Sequence, residues 1–270
     1  MAILSADTKI GRFSVVDEEH RMGMSTDIAW EEWGRRDPYF GVFTNPKYRR
    51  AEMTESSRLE FFDSGKWQVD HILNVIRNHV NPTFVPKKVL DFGCGVGRLL
   101  VPFASVAAEV VGLDVSKSML QEARRNCDAN SLPDVRLFHS NDGLTALTDS
   151  FDLIHSCIVF QHIPVLRGRA ILKRLLQHLC PGGIGAIQMT YSKVRFAETH
   201  GVAPPDELPA MDGPPDIAVT INDDPEIQMN PYNANEILFL LQQKGVTKLY
   251  IEFTDHGGEL GLYLFFQMPG

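Results

Sequence analysis

Cysteine is scarce in this 270-residue chain: Cys94, Cys127, Cys157 and Cys180 stand far apart, with no CxxC spacing. That scatter excludes a disulfide framework or a cysteine zinc site and suits reduced thiols in the cytoplasm. Long apolar runs are missing as well. No stretch is long enough to span a bilayer, and the first twenty residues show no charged segment leading into an apolar one. Basic charge is in deficit, with 26 Lys plus Arg against 34 acids and a net charge of −8. This argues against broad capture of nucleic acid or anionic membrane. The expectation is a soluble cytoplasmic protein. No internal repeat is present, and no carboxylate pair has a metal-site setting. Asp223-Asp224 falls in a proline-rich stretch and reads as a solvated acidic loop.

What is present falls into four segments. Residues 1–80 are expected to form an N-terminal helical cap over the substrate. Its aromatics include Trp30, Trp33, Tyr39, Phe40 and Phe43, and its last part places Val69, Ile72, Leu73 and Ile76 at helical spacing. Residues 81–190 alternate strand-like runs (KKVLDFG, EVVGLDV, DVRLFHS, FDLIHSCIVF, IGAIQMT) with helical ones. That order predicts an α/β fold with a mainly parallel, doubly wound sheet. Residues 191–230 are rich in proline and break the alternation, as an inserted lid would. Residues 231–270 begin with a helix, Asn233 as N-cap and Gly245 as stop, and close with VTKLYIEF, a DHGG turn and ELGLYLFFQ, a terminal antiparallel hairpin.

The richest segment is VLDFGCGVGR, residues 89–98: an apolar run, an acid at Asp91, and glycines at 93, 95 and 97. The glycines let the chain turn tightly and bring its backbone against a ligand, ahead of a helix. A glycine turn alone also fits nicotinamide and flavin enzymes. Asp91 puts negative charge where a pyrophosphate would need room, which favours a ligand with positive charge. Asp114, ending the next strand, can accept hydrogen bonds from both hydroxyls of a ribose.

DFGCGVG resembles the acid-x-Gly-x-Gly-x-Gly motif of class I S-adenosylmethionine-dependent methyltransferases. The resemblance spans roughly residues 80–190 and the closing hairpin, and implies a seven-stranded, mostly parallel sheet. It further implies S-adenosylmethionine as cofactor and S-adenosylhomocysteine as product. Asp91, Gly93, Cys94, Gly95 and Gly97 would lie beside the methionine and ribose portions, with Asp91 acting on the amino end. Asp114 would take the ribose, Val115 and Met119 would pack near the adenine, and the Asn141-Asp142-Gly143 turn would meet the adenine amino group through Asp142 or Asn141.

Methyl transfer needs chiefly alignment and exclusion of water, with a base useful when the acceptor is a hydroxyl. His162 follows the fourth strand, and His256 lies in the terminal hairpin turn, which a parallel sixth strand brings to the same sheet edge. Either is expected to act as base or hydroxyl-orienting group, assisted by Gln161 or Asp255; the alternatives are a helix cap for His162 and a turn residue for His256. His155, inside the fourth strand, and His178 are set aside. Tyr39 and Phe40, with Trp30 and Phe43, could line the acceptor pocket, although helical spacing also suits core packing. Arg35, Arg36, Lys47, Arg49 and Arg50 read as a solvated face. The resulting expectation is a methyltransferase acting on an oxygen of a sugar, glycoconjugate precursor or secondary metabolite. The alternatives are nitrogen transfer on the same fold, a nicotinamide-dependent oxidoreductase, or a non-catalytic binding protein.

Overall fold

In the computed structural model the described residues are 15–193, 216–217, 224–225 and 227–270. The start of the predicted cap and most of the predicted lid lie outside them. Val15–Arg36 forms α1, Pro38–Val42 α2 and Glu55–Val75 α3. α3 starts where Thr54 and Ser57 cap each other reciprocally, and ends in a wider π turn, Ile76–Val80, ahead of Pro82.

The alternation then runs β1 (Lys88–Phe92), α4 (Leu100–Ala104), β2 (Glu109–Asp114), α5 (Lys117–Ala129), β3 (Arg136–His139), β4 (Phe151–Ser156), α6 (Val165–Gln177) and β5 (Leu179–Lys193). Two short strands, β6 (Asp216–Ile217) and β7 (Gln228–Met229), pair with each other; α7 (Ala234–Gln243), β8 (Leu249–Asp255) and β9 (Glu259–Gln267) complete the chain. The main sheet has seven strands in the order β3-β2-β1-β4-β5-β9-β8. β9 is antiparallel to both neighbours, so β8 points the same way as β1 to β5. The α/β sheet with its closing hairpin is the architecture read from the sequence.

Pleating explains the two cores. Leu90, Phe92, Val111 and Ile154 face α6 and α7, whereas Val89, Val110 and Leu153 face α3 and α4. A third cluster joins the cap to the glycine turn through Trp33, Tyr39, Tyr48, Phe61, Val96 and Met119.

Three boundaries differ from the sequence reading. β4 stops at Ser156, because Ile158 adopts φ 56°, a left-handed conformation that a β-branched residue avoids and that ends the strand. Its amide donates to Oε1 of the buried Gln188 at 3.0 Å. α4 is a short helix rather than the whole of the helical run GRLLVPFASVA, residues 97–107, that the sequence suggests between the first two strands. β5 already includes Pro181 and Gly182 and runs on to Lys193, three residues beyond the expected limit of the core.

Candidate active site

The site forms where β1 hands the chain to the glycine turn. Gly93 and Cys94 both donate their amides to the Leu113 carbonyl, at 2.8 and 3.0 Å, folding the turn across the end of β2. Gly93, Gly95 and Gly97 have φ of 78°, 52° and 88°. A Cβ on Gly93 would collide with Val159, and one on Gly95 would lie 2.6 Å from Val42. At Gly97 there is room for a Cβ, and the backbone angle alone demands glycine.

Asp114 is anchored through both oxygens: Gly95 N donates to Oδ2 and Ser116 N to Oδ1, each at 2.8 Å. Burial raises its carboxyl to about 6. Asp91 is 3 % exposed and its Oδ1 accepts from His155 Nδ1 at 2.7 Å. His155, fully buried, meets the Tyr263 hydroxyl through Nε2, again at 2.7 Å. Burial pushes the Tyr263 hydroxyl well up, so it stays protonated. His155, set aside on the sequence, is thus the residue that fixes Asp91.

A cleft with about 1090 Å³ of empty space opens along the carboxyl edge of β1, β2 and β4. Asp91, Gly93, Cys94, Gly95, Asp114, Val115, Met119, Asn141 and Asp142 all line it. Gly97 and Gly143 do not. Burial pushes the Cys94 thiol far up, so it contributes bulk and not a thiolate. Asn141 is occupied with Thr145, donating from Nδ2 to Oγ1 at 2.7 Å and accepting from its amide at 3.2 Å. Asp142 Oδ1 accepts from Arg167 Nε at 2.7 Å, while the rest of the Arg167 guanidinium holds both oxygens of Asp27 on α1 at 2.7 and 2.8 Å.

His162 lines the same cleft from the 3-10 turn after β4. Its Nδ1 donates to the Gln228 carbonyl at 3.0 Å and its ring packs 5.0 Å from Trp30. Burial lowers the imidazole to about 4, so it is neutral near pH 7, and with Nδ1 donating, Nε2 carries a free lone pair. Trp30 and the buried Thr26 face the cleft from α1, and the Thr26 hydroxyl has no hydrogen-bond partner among the described residues.

Other sequence candidates stand elsewhere. His256 is exposed in the β8–β9 turn, its amide donating to Glu259 O at 3.1 Å, and Asp255 accepts from Gly258 N at 2.7 Å. The turn does open on the carboxyl edge, but β8 is the outermost strand, four places from β1 or roughly 19 Å at about 4.8 Å per strand. Neither residue lines the cleft. Gln161 is a strut: its Oε1 accepts from Thr190 Oγ1 at 2.8 Å and its carbonyl from Asn230 N at 2.6 Å. Tyr39 turns its hydroxyl to Glu122 and Asn126 on α5, at 2.8 and 2.9 Å. The Phe40 ring lies under Arg49, 3.4 Å from its centroid. Arg49 is not on a solvated face; it pairs with Asp37 and with both oxygens of Asp224, and Trp33 Nε1 donates to Pro225 O at 3.2 Å.

The sequence reading assigned no role to Arg98, Arg167, Asp27, Thr26 or Glu31. Arg98 sits inside the motif itself, directly after Gly97. Glu31 pins α1 to the start of α5, accepting from Ser116 Oγ (2.8 Å), Ser118 N (3.1 Å) and Ser118 Oγ (2.7 Å). Only tertiary docking reveals these pairings.

Comparison with known proteins adds to this geometry. Residues 89–183 match a family model described as a methyltransferase domain. The chain carries a methyltransferase domain. The domain is 38% identical over 104 residues to trans-aconitate 2-methyltransferase of Deinococcus radiodurans, covering 38% of this chain and 37% of that protein. It is 34% identical over 118 residues to a ubiquinone biosynthesis O-methyltransferase of Thiobacillus denitrificans, covering 42% of this chain and 51% of that one. This chain therefore spans only about two fifths to one half of these curated relatives. In fold it is similar to magnesium protoporphyrin IX methyltransferase from Synechocystis PCC 6803, solved with bound S-adenosylhomocysteine. That likeness has a TM-score of 0.60 at 15% identity, covering 90% of this chain and 99% of that one. The methyltransferase domain and its sheet order set the nicotinamide alternative aside.

Proposed function

We propose that the chain is an S-adenosylmethionine-dependent methyltransferase that methylates an oxygen of a small molecule. The observation that carries the reading is the pair of anchored carboxylates, Asp91 and Asp114, flanking a glycine turn on one cleft. Their charge complements a cationic ligand, and the lone pairs that Asp114 keeps after its two backbone bonds are available to a ribose diol. The cofactor would supply a methyl group on a sulfonium, itself a strong leaving group. Val115 and Met119 would offer an apolar bed for its adenine, and Asp142 or Asn141 a polar contact.

On the acceptor side, the free Nε2 of His162, the Trp30 ring and the unpartnered Thr26 hydroxyl form one wall. His162 would accept the hydrogen bond of the acceptor hydroxyl, aim its oxygen, and take its proton as the new carbon–oxygen bond forms. A weakly basic imidazole suffices there, because an oxygen that is being alkylated becomes strongly acidic. The named relatives fit a small-molecule acceptor; a sugar, glycoconjugate precursor or secondary metabolite all suit the wall. The deciding experiment incubates the protein with methyl-labelled cofactor and a cell extract and identifies the labelled product by mass. A labelled small molecule carrying an O-methyl group supports the reading, and cofactor binding without any label transfer refutes it.

A further inference from the structure

The chain that returns from the proline-rich stretch is anchored at both ends. On the side of the cap, Asp224 takes Arg49 on both oxygens, at 2.9 and 2.5 Å, and the same guanidinium reaches Asp37 at 3.4 Å. Its Cζ lies 3.4 Å from the Phe40 ring centroid and 5.5 Å from that of Trp33, whose Nε1 donates to the Pro225 carbonyl at 3.2 Å. Ile227 packs against the cluster that contains Trp33 and Phe61. On the side of the sheet, Lys193 Nζ donates to the Met229 carbonyl at 3.0 Å. Asn230 donates to the Gln161 carbonyl through its amide at 2.6 Å and its Nδ2 at 3.1 Å.

Gln228 falls between these anchors, and its carbonyl takes the Nδ1 proton of His162 at 3.0 Å. A carbonyl can only accept, so this contact puts the single proton of the neutral ring on Nδ1. A neutral histidine in water carries that proton mostly on Nε2, and the hydrogen bond made by one ring nitrogen decides the form. The choice matters for the cleft. With Nδ1 protonated, Nε2 accepts and can receive a hydroxyl proton; with Nε2 protonated, it could only donate. The anchored carbonyl thus holds the ring in the form that its own preference opposes.

We propose that Arg49, Asp224 and Ile227 are positioning residues that fix the tautomer of His162, by holding the Gln228 carbonyl against its Nδ1. The Arg49 and Asp224 side chains are mostly shielded from water, and the planar fork of the guanidinium sets direction as well as distance. The cap thereby reaches the acceptor wall through the backbone of a segment from the far end of the chain. The catalytic consequence rests on the base role given to His162 above; the tautomer itself does not.

The test is heteronuclear NMR of the histidine rings in the isotope-labelled full chain near neutral pH, with no ligand added. The signals of His162 are those that vanish in His162→Ala. The unaltered protein should show a protonated Nδ1 and the downfield resonance of an unprotonated Nε2. Arg49→Met should reverse the ratio of the two forms, and Arg49→Lys, which keeps the charge, should restore part of it. Asp224→Ala cuts the same pair from the other side without touching the aromatic cluster, and should reverse the ratio as well. A protonated Nε2 in the unaltered protein would overturn the proposal at once. So would an unchanged ratio in folded Arg49→Met or Asp224→Ala, even with a lowered melting temperature, which would make the pair a strut for the cap alone. Label transfer to a cell extract separates this from the base role. With the tautomer as stated and no transfer by the unaltered protein, the base role falls and the positioning stands. Where transfer occurs, it should drop in Arg49→Met in proportion to the lost Nδ1-protonated fraction.

Discussion

Two ionisable residues give the site a pH signature that follows from where they are buried. Asp114 titrates at about 6 because its carboxyl has lost water on entering the turn. The ionised carboxylate is the stronger acceptor of ribose hydroxyls, so affinity should approach its plateau above pH 7 and fall as pH drops through 6. About a tenfold loss is expected at pH 5 if the neutral form does not bind. Isothermal titration with S-adenosylhomocysteine between pH 5 and 8 measures this, and Asp114→Asn should flatten the curve at a low affinity. His162 titrates at about 4, so its neutral form persists across the same range and adds no limb of its own. Replacing it by Ala removes the hydroxyl-aiming group and should lower turnover by roughly 10²–10⁴-fold while leaving cofactor affinity within a few-fold. His256→Ala, on the distant hairpin, should leave both within a factor of two. A comparable loss in the two variants would show that neither acts at the acceptor.

Among the elements, α3 matters beyond its role as cover, since it delivers Ser64 and Gln68 to Arg98. It can do so only because Gly65 lies between them: a Cβ there would overlap the Arg98 carbonyl. Gly65→Ala must push α3 away from the glycine turn, an overpacking that costs about 1–3 kcal/mol, measurable by urea unfolding. Helical propensity runs the other way, favouring Ala by about 1 kcal/mol, so a stabilised variant would show that the helix gives way freely. No periodicity argument finds Gly65, because the demand comes from a residue 33 positions later. The same distinction separates what could be read from the chain from what could not. β1, β2 and the glycine spacing are local patterns, and Asp91, Gly93, Gly95 and Asp114 follow from them. The end of β4 was missed because Ile158 is held in its unfavourable conformation by Gln188 from the next strand. His155 looked inert inside a strand, yet its role depends on Tyr263, which reaches it from β9. For His256 the direction of β8 was readable, while its distance from the cleft depends on strand order.

At the scale of the molecule, the cleft is bordered by a contact among three elements that lie far apart in the chain. Arg167 on α6 holds Asp27 on α1 and Asp142 after β3, and α1 thereby lies across the cleft with Thr26 and Trp30 facing inward. The arginine is mostly shielded, 18% exposed, but Asp27 and Asp142 are 36% and 50% exposed, so solvent screens much of the attraction. A contribution of about 1 kcal/mol is the appropriate scale, equivalent to a fall of about 2–4 °C in melting temperature for a chain of this size. Arg167→Gln should show that modest drop. Because all three residues line the cleft, the contact's larger effect belongs to ligand exchange: release of S-adenosylhomocysteine in stopped flow should be several-fold faster in the variant. Salt offers an independent check. Raising ionic strength toward 1 M shortens the screening length to about 3 Å, so release from the unaltered protein should accelerate toward that of the variant, whose own rate should barely respond. Equal release rates for the two proteins at low salt would mean that α1 is held by Glu31 with its serine partners and by the Trp33 cluster, and that the arginine contact serves stability without governing access.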